Sequence, residues 1–137
     1  MAESALAKKL KIKPDQRIAI INAPADYIAS LYPLPEGVTV ADALDGTFTW
    51  MQTFVSTQAE VAAQLPQLVA ALAPVSLLWL SFPKESSKLQ TDLTRDIGWD
   101  AVRQTSLRWL TLISINETWS AFSLRPSRPG EPPQTFR

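Results

Sequence analysis

The stretch that decides the fold reads Leu107-Arg108-Trp109-Leu110-Thr111-Leu112-Ile113-Ser114-Ile115, then Asn116-Glu117-Thr118, then Trp119-Ser120-Ala121-Phe122-Ser123-Leu124-Arg125. The two outer runs are rich in β-branched and aromatic residues and read as strands. Their link is too short for a crossover, so they form an antiparallel hairpin. Working back, Val75 to Phe82 carries Leu77, Leu78, Trp79 and Leu80 in succession. That run fits a central strand buried on both faces. Thr47 to Val55, after the Asp45-Gly46 turn, is a further strand, as are Arg17 to Asn22 and the short Val38-Thr39-Val40. The links from Asn22 to Val38 and from Val55 to Val75 are roughly a dozen residues or more, enough for helical crossovers and parallel pairing. The expected fold is a single three-layer α/β domain over residues 1–125. Its sheet is mostly parallel, with the antiparallel hairpin at its C-terminal end. Residues 126–137, with Pro126, Pro129, Gly130, Pro132 and Pro133, are expected to be a mobile tail.

The helices between the strands are less even in signal. Thr57 to Leu72 is the clearest: Thr57-x-x-Glu60 matches a capping box. Val61, Leu65, Leu68, Val69 and Leu72 share one stripe. Pro66 removes the donor that would reach the Ala62 carbonyl, which predicts a kink or two abutting helices. Ser4 to Leu10 and Ala25 to Leu31 are shorter candidates, the second with Asp26 near the positive end of its dipole. Thr91 is placed to cap a helix starting at Asp92, with Leu93, Ile97 and Val102 facing inward and Gly98 weakening it.

Composition narrows the chemistry. The 137 residues, 46% apolar, suffice for one sizeable core. Lys+Arg and Asp+Glu number 13 each, so no global field attracts nucleic acid or an anionic membrane. The chain has no Cys and no His, which excludes disulfides, thiolate nucleophiles, Cys/His zinc sites and histidine-based triads. Lysines 8, 9, 11 and 13 precede no apolar core segment, so the N-terminus is not a secretory signal. The lysines are read as a solvated amphipathic face rather than a nucleic-acid surface. The apolar run Leu68 to Phe82 is too short to cross a bilayer and contains Pro74. The expected setting is cytoplasmic, with no membrane and no nucleic-acid partner. A homodimer or a protein partner is allowed but not demanded.

Strand–helix alternation ending in an antiparallel hairpin resembles a shortened methyltransferase fold of the Rossmann type. That family needs glycine after the first strand, so that backbone approaches the cofactor closely. Here the turn reads Asn22-Ala23-Pro24-Ala25-Asp26, and the four glycines lie elsewhere, at 37, 46, 98 and 130. On that ground S-adenosylmethionine or dinucleotide binding in the standard mode is not expected; no cofactor is expected, and no metal, since Cys and His are absent. The segments Trp79-Leu80-Ser81-Phe82-Pro83-Lys84, Thr91-Asp92-Leu93-Thr94-Arg95-Asp96 and Glu117-Thr118-Trp119-Ser120-Ala121 resemble an uncharacterised bacterial family, domain of unknown function number 3052. The resemblance implies the fold and carries no activity.

In open α/β sheets ligands sit outside the carboxyl ends of the parallel strands. Those ends supply Asn22, Ser56 and Thr57, Lys84, then Asn116 and Glu117. Lys84 fits an anion such as a phosphate or carboxylate, with Ser86 in the same loop; alternatively it pairs with Asp92 or Glu117 and pins the loop. Asp92 and Arg95 are placed to reach the same rim; alternatively Asp92 is a favourable charge in a helix first turn and Arg95 a solvated or salt-bridging helix residue. Glu117 is a general base if buried beside Lys84, or a solvated turn carboxylate. Trp119, next to the turn, is the tryptophan expected to be partly exposed. The expected function is a non-catalytic binding or adaptor module on a degenerate Rossmann-like scaffold. The alternative is a small anion or phosphate binder, or a minor enzyme, working at this rim.

Overall fold

A computed structural model describes residues 4–84, 91–94 and 97–132. In chain order its elements are α1 (Ala5–Lys9), β1 (Arg17–Ile21), α2 (Tyr27–Ser30), β2 (Thr39–Ala41), β3 (Phe48–Phe54), α3 (Gln58–Ala71), β4 (Leu72–Pro83), α4 (Asp100–Arg103), β5 (Leu107–Ser114) and β6 (Trp119–Pro126). The strands form one sheet in the order β2-β1-β3-β4-β6-β5. β1 pairs in parallel with β2 and β3, and β3 with β4. β6 runs antiparallel to both β4 and β5. The sheet is thus mostly parallel with an antiparallel end, as the short link after Ile115 requires.

Two apolar clusters lie on the sheet. One takes Val61, Leu65 and Leu68 of α3 and Val102 of α4 against Met51, Leu78, Leu80 and Leu124. The other takes Ala7 of α1 and Tyr27 of α2, with Leu10 and Leu31, against Ile18, Ile20, Trp50 and Trp79. Alternate residues of β3 and β4 therefore enter opposite clusters, which is why these strands read as continuous apolar runs. Both Trp50 and Trp79 donate their indole N–H to the carbonyl of Leu10, at 2.8 and 3.0 Å. A carbonyl at the end of a short helix is thereby satisfied inside the core. Ser4 caps the start of that helix by accepting from the Ala7 amide at 3.0 Å.

Several expectations need correcting. Of the kink or two abutting helices expected at Pro66, the second alternative does not form: α3 runs through Pro66 as one helix. Thr57 accepts from the Glu60 amide, while the Glu60 carboxylate accepts from Ser56 N, one residue further out than a standard box. No helix starts at Asp92: Gly98 has φ +105, and a Cβ there would meet Leu93 Cδ2 at 2.5 Å. A φ of this sign does not fit an α-helix, and among the described residues of this segment only the four of α4 are helical. Leu93 and Val102 are buried as expected, but Ile97 is exposed. Trp119 is buried, packed edge-to-face on Phe54 at 5.0 Å, because it is the first residue of β6 and points into the α1/α2 side. Among the described residues no helix is long and apolar enough to cross a membrane.

The expected tail begins as the last residue of β6, Pro126. Beyond it, Ser127 N donates to Ser106 O at 3.0 Å. The Glu131 carboxylate accepts two hydrogen bonds from Arg125, each 2.8 Å, and lies 3.6 Å from Arg108. Residues 133–137 lie outside the described residues. The Arg125 fork, helped by the Arg128 amide, lowers the Glu131 carboxyl to about 2. A depressed folded-state value stabilises the protein above the ordinary carboxylate range and loses that contribution as pH falls through the folded value. Glu131→Gln is therefore expected to melt lower than wild type at pH 7. The two melting curves, followed by circular dichroism, should converge between pH 4.5 and about 2. A gap independent of pH contradicts the clasp.

Candidate functional site

The parallel ladders place the strand ends in one row. Ile21 pairs with Thr53, so Asn22 lies level with Phe54; Phe54 pairs with Ser81, so Lys84 lies level with Thr57. Pro83 pairs with Trp119, and Ser114 with Ser120, which brings the hairpin turn to the same edge. Asn22, Ser56, Lys84, Asn116, Glu117 and Trp119 thus share one rim. Neighbouring strands are about 4.8 Å apart, so Asn22 and Lys84, flanking β3, are about 10 Å apart across the sheet. They form two halves of a rim rather than one contact cluster.

The β1 half is built around a tight turn. Asn22 has φ +59 and Asp26 φ +67, both in the left-handed region. Asparagine is among the few non-glycine residues that adopt this region readily. Asn22 therefore supplies the conformation that glycine supplies in a dinucleotide-binding turn. Ala23 and Ala25 keep the turn small. Pro24 has no N–H, and its carbonyl accepts from Tyr27 N at 3.1 Å. One strand over, the chain leaves β2 at Asp42, which is exposed. No hydrogen bond or ion pair engages its carboxylate among the described residues. Ala19 pairs with Ala41, so Asp42 is level with Ile20, about 7 Å short of Asn22 along the strands at about 3.3 Å per residue. An acid about 20 residues beyond the first turn is the group that takes ribose hydroxyls in nucleotide-binding α/β sheets.

The sequence reading missed Asp42 because it ended the second strand at Val40. A three-residue strand has too little periodicity to fix its end. The separation from Asn22 was the usable signal.

The β4 half is held by hydrogen bonds. Lys84 N donates to Thr118 O at 2.8 Å, and Lys84 Nζ donates to Ser114 Oγ at 2.6 Å. Lys84 reaches Ser114 instead of the expected Asp92 or Glu117. The Asp92 carboxylate instead accepts from Gln58 N at 2.8 Å, so it stabilises the start of α3, not a helix of its own. Thr91 donates to Ser56 O at 2.6 Å, tying this segment to the end of β3. Asn116 Oδ1 accepts from Thr118 N and Trp119 N, both at 2.9 Å, which closes the hairpin turn. Glu117 is exposed in that turn, and burial keeps Trp119 from serving as a ligand surface. Ser86 and Arg95, the other expected ligands, lie outside the described residues. A groove of about 480 Å³ opens elsewhere, between α3 and α4, lined by Ala62, Leu65, Pro66, Val69, Ala101 and Thr105 among others. None of the expected site residues lines it.

A buried polar line joins the two halves. Tyr27, directly after the β1 turn, donates its O–H to Gln52 Oε1 at 2.9 Å; Gln52 Nε2 donates to Ser81 Oγ at 2.9 Å. Gln52 and Ser81 have no solvent exposure, and burial pushes the Tyr27 phenol well above its ordinary range, so it stays a donor.

No family model matches the chain, and no curated protein matches it. Solved structures do. A SAM-dependent methyltransferase from Aquifex aeolicus superposes with TM-score 0.62 at 9% identity, covering 85% of this chain and 85% of that one. The mitomycin 7-O-methyltransferase gives 0.63 at 8% identity, covering 89% of this chain and 53% of its own. Magnesium protoporphyrin IX methyltransferase from Synechocystis gives 0.53 at 9%, covering 89% and 74%. The chain has a Rossmann-like methyltransferase fold. This likeness contradicts the expectation of a non-catalytic adaptor on a degenerate scaffold: the solved structures that share the fold are methyltransferases. The sequence reading took glycine itself as the requirement of that turn, whereas Asn22 holds the left-handed backbone there.

The polar line between the halves can be tested directly. Tyr27→Phe leaves Gln52 Oε1 buried without a donor, which costs about 1–3 kcal/mol. Urea unfolding of this variant should show a lower midpoint with an unchanged slope. An unchanged midpoint would mean that the relay adds nothing.

Proposed function

We propose that this chain is a small methyltransferase-like protein that holds an S-adenosyl compound at the β1–β2 half of the rim. The observation that carries the reading is the left-handed Asn22 turn lying beside the exposed Asp42 at the end of β2. In this reading Asp42 accepts the ribose hydroxyls of the ligand. The Asn22–Ala25 turn lets the ligand approach the backbone, with fewer amide donors than a glycine turn because of Pro24. Ser56 and Thr57, at the end of β3, border the ligand on its other side. When bound, such a ligand supplies a methyl group on a positively charged sulfur. The rest of the rim, over β4 and the hairpin, is then the acceptor side. The two apolar clusters support the three-layer arrangement, and the Trp79–Lys84 and Glu117–Ala121 segments support kinship with the uncharacterised bacterial family that they resemble.

Isothermal titration with S-adenosylhomocysteine tests the reading. Wild type should bind one equivalent. Asp42→Ala, at an exposed position, should fold normally by circular dichroism and bind at least about tenfold more weakly, since a hydrogen bond to a charged group contributes about 1.5–3 kcal/mol. No binding at millimolar ligand, or equal binding by the variant, overturns the proposal.

A further inference from the structure

The end of the sheet opposite the rim carries a separate arrangement of charge. In the β5–β6 ladder Arg108 stands directly opposite Arg125. The next pair, Trp109 and Leu124, packs with the α3 cluster, so strand alternation sends both arginines to the other face. Like charges directly opposite each other destabilise a sheet. Here a carboxylate of the chain itself lies between them. Arg128-Pro129-Gly130-Glu131 reverses direction, with Glu131 N donating to Arg128 O at 3.1 Å and Gly130 at φ +83. Proline then glycine at the two central positions is the sequence of a type II turn. The turn returns Glu131 to the arginines. Arg125 holds its carboxylate with both Nη groups, each at 2.8 Å, and Arg108 Nε lies 3.6 Å away. Arg108 Nη1 donates to the main-chain oxygen of Pro132 at 2.6 Å. The Arg108, Arg125 and Glu131 side chains are only 18%, 23% and 22% exposed.

Two properties distinguish this arrangement from an ordinary surface ion pair. One arginine takes a carboxylate by its fork, and the other takes the carbonyl of the following residue. The unit recognised is a glutamate within a peptide: a small anion satisfies Arg125 but leaves Arg108 Nη1 without its carbonyl. The second property is how lightly the segment is held. No described residue beyond Leu124 enters either apolar cluster, and residues 128–130 and 132 are exposed. Lifting it uncovers the arginines without opening the core. We infer that Arg108 and Arg125 form a docking site for an acidic, glutamate-bearing peptide segment of a partner protein, and that residues 127–132 occupy this site as an intramolecular competitor. Charge favours that occupant. The chain's own segment brings one carboxylate and also a further cation, Arg128, to two arginines. An incoming segment with two acids and no arginine matches the pair better than the segment it displaces. The site lies at the far end of the sheet from Asn22 and Asp42 and does not rest on the methyltransferase-like reading.

The test is fluorescence anisotropy of a labelled, end-blocked peptide Pro-Ser-Glu-Pro-Gly-Glu-Pro, titrated with the full chain at constant salt. Glu131→Lys sets a cation against the two arginines and releases the segment. This variant should bind the peptide at least about tenfold more tightly than wild type, whose own glutamate competes. Glu131→Gln removes the competing charge without adding repulsion, and it replaces the first variant if Glu131→Lys loses its near-ultraviolet circular dichroism. Adding Arg125→Gln to either variant should abolish the gain. A peptide with glutamine in place of its second glutamate should bind at least about tenfold more weakly. No saturable binding by a folded Glu131 variant, or binding that survives Arg125→Gln, overturns the docking site. Acetate that displaces the peptide at an equal concentration of carboxylate also overturns it, since the arginines then take any small anion. Dimerisation of the Glu131 variant in sedimentation velocity, with no peptide bound, makes a second copy the occupant and overturns the partner reading.

Discussion

The architecture depends on a constraint in its middle: β3 and β4 are buried on both faces, so a polar side chain there must find its partners inside the protein. Gln52 meets that requirement by bonding Tyr27 on one side and Ser81 on the other. An unpaired amide at that depth would cost about 1–3 kcal/mol, comparable to a sizeable part of a small domain's net stability. The line fixes more than energy. Gln52 and Ser81 sit on neighbouring parallel strands, so satisfying both holds their relative positions near the carboxyl ends. Tyr27 begins α2 immediately after the turn at Asn22, so the same line anchors that turn. A slip of one residue would send Gln52 into the α3 side and expose its apolar neighbours.

What the sequence showed clearly was whatever depends on chain length and local burial. The three residues between Ile115 and Trp119 permit only a hairpin. The succession Leu77 to Leu80 needs two buried faces. Thr57 and Glu60 mark the start of α3. What it hid depends on partners far away in sequence. Asp92 has the character of a helix-starting residue, and it does serve a helix start, but that of α3, thirty-four residues upstream. Trp119 looked exposed because it borders a turn; Phe54, from β3, covers it. Gly98 looked like a weak point in a helix, whereas Asp92 to Thr94 are not helical and Gly98 itself has φ +105, a backbone angle no α-helix uses.

The site was partly legible for the same reason. The parallel topology predicts a common rim, and the register does bring Asn22, Lys84, Asn116 and Glu117 to one edge. The rim's chemistry was harder to read. A motif search looks for glycine, but the physical requirement is a left-handed backbone with small neighbours, which Asn22, Ala23 and Ala25 meet. Asp42 was hidden by the brevity of β2, and the hydrogen bond from Lys9 Nζ to Ser114 O leaves no trace in local sequence. Absence of histidine and cysteine limits the chemistry of this rim to carboxylates, ammonium groups and hydroxyls.

The central claim is that the rim beside Asn22 and Asp42 receives an adenosyl ligand. The most direct test is a backbone amide NMR titration with S-adenosylhomocysteine. The account predicts shifts concentrated at residues 22–26, 42–44 and 56–58, together with Gln52 through its contact with Tyr27. Shifts confined to the groove between α3 and α4, around Ala62, Val69 and Thr105, would contradict it, as would a spectrum that does not change.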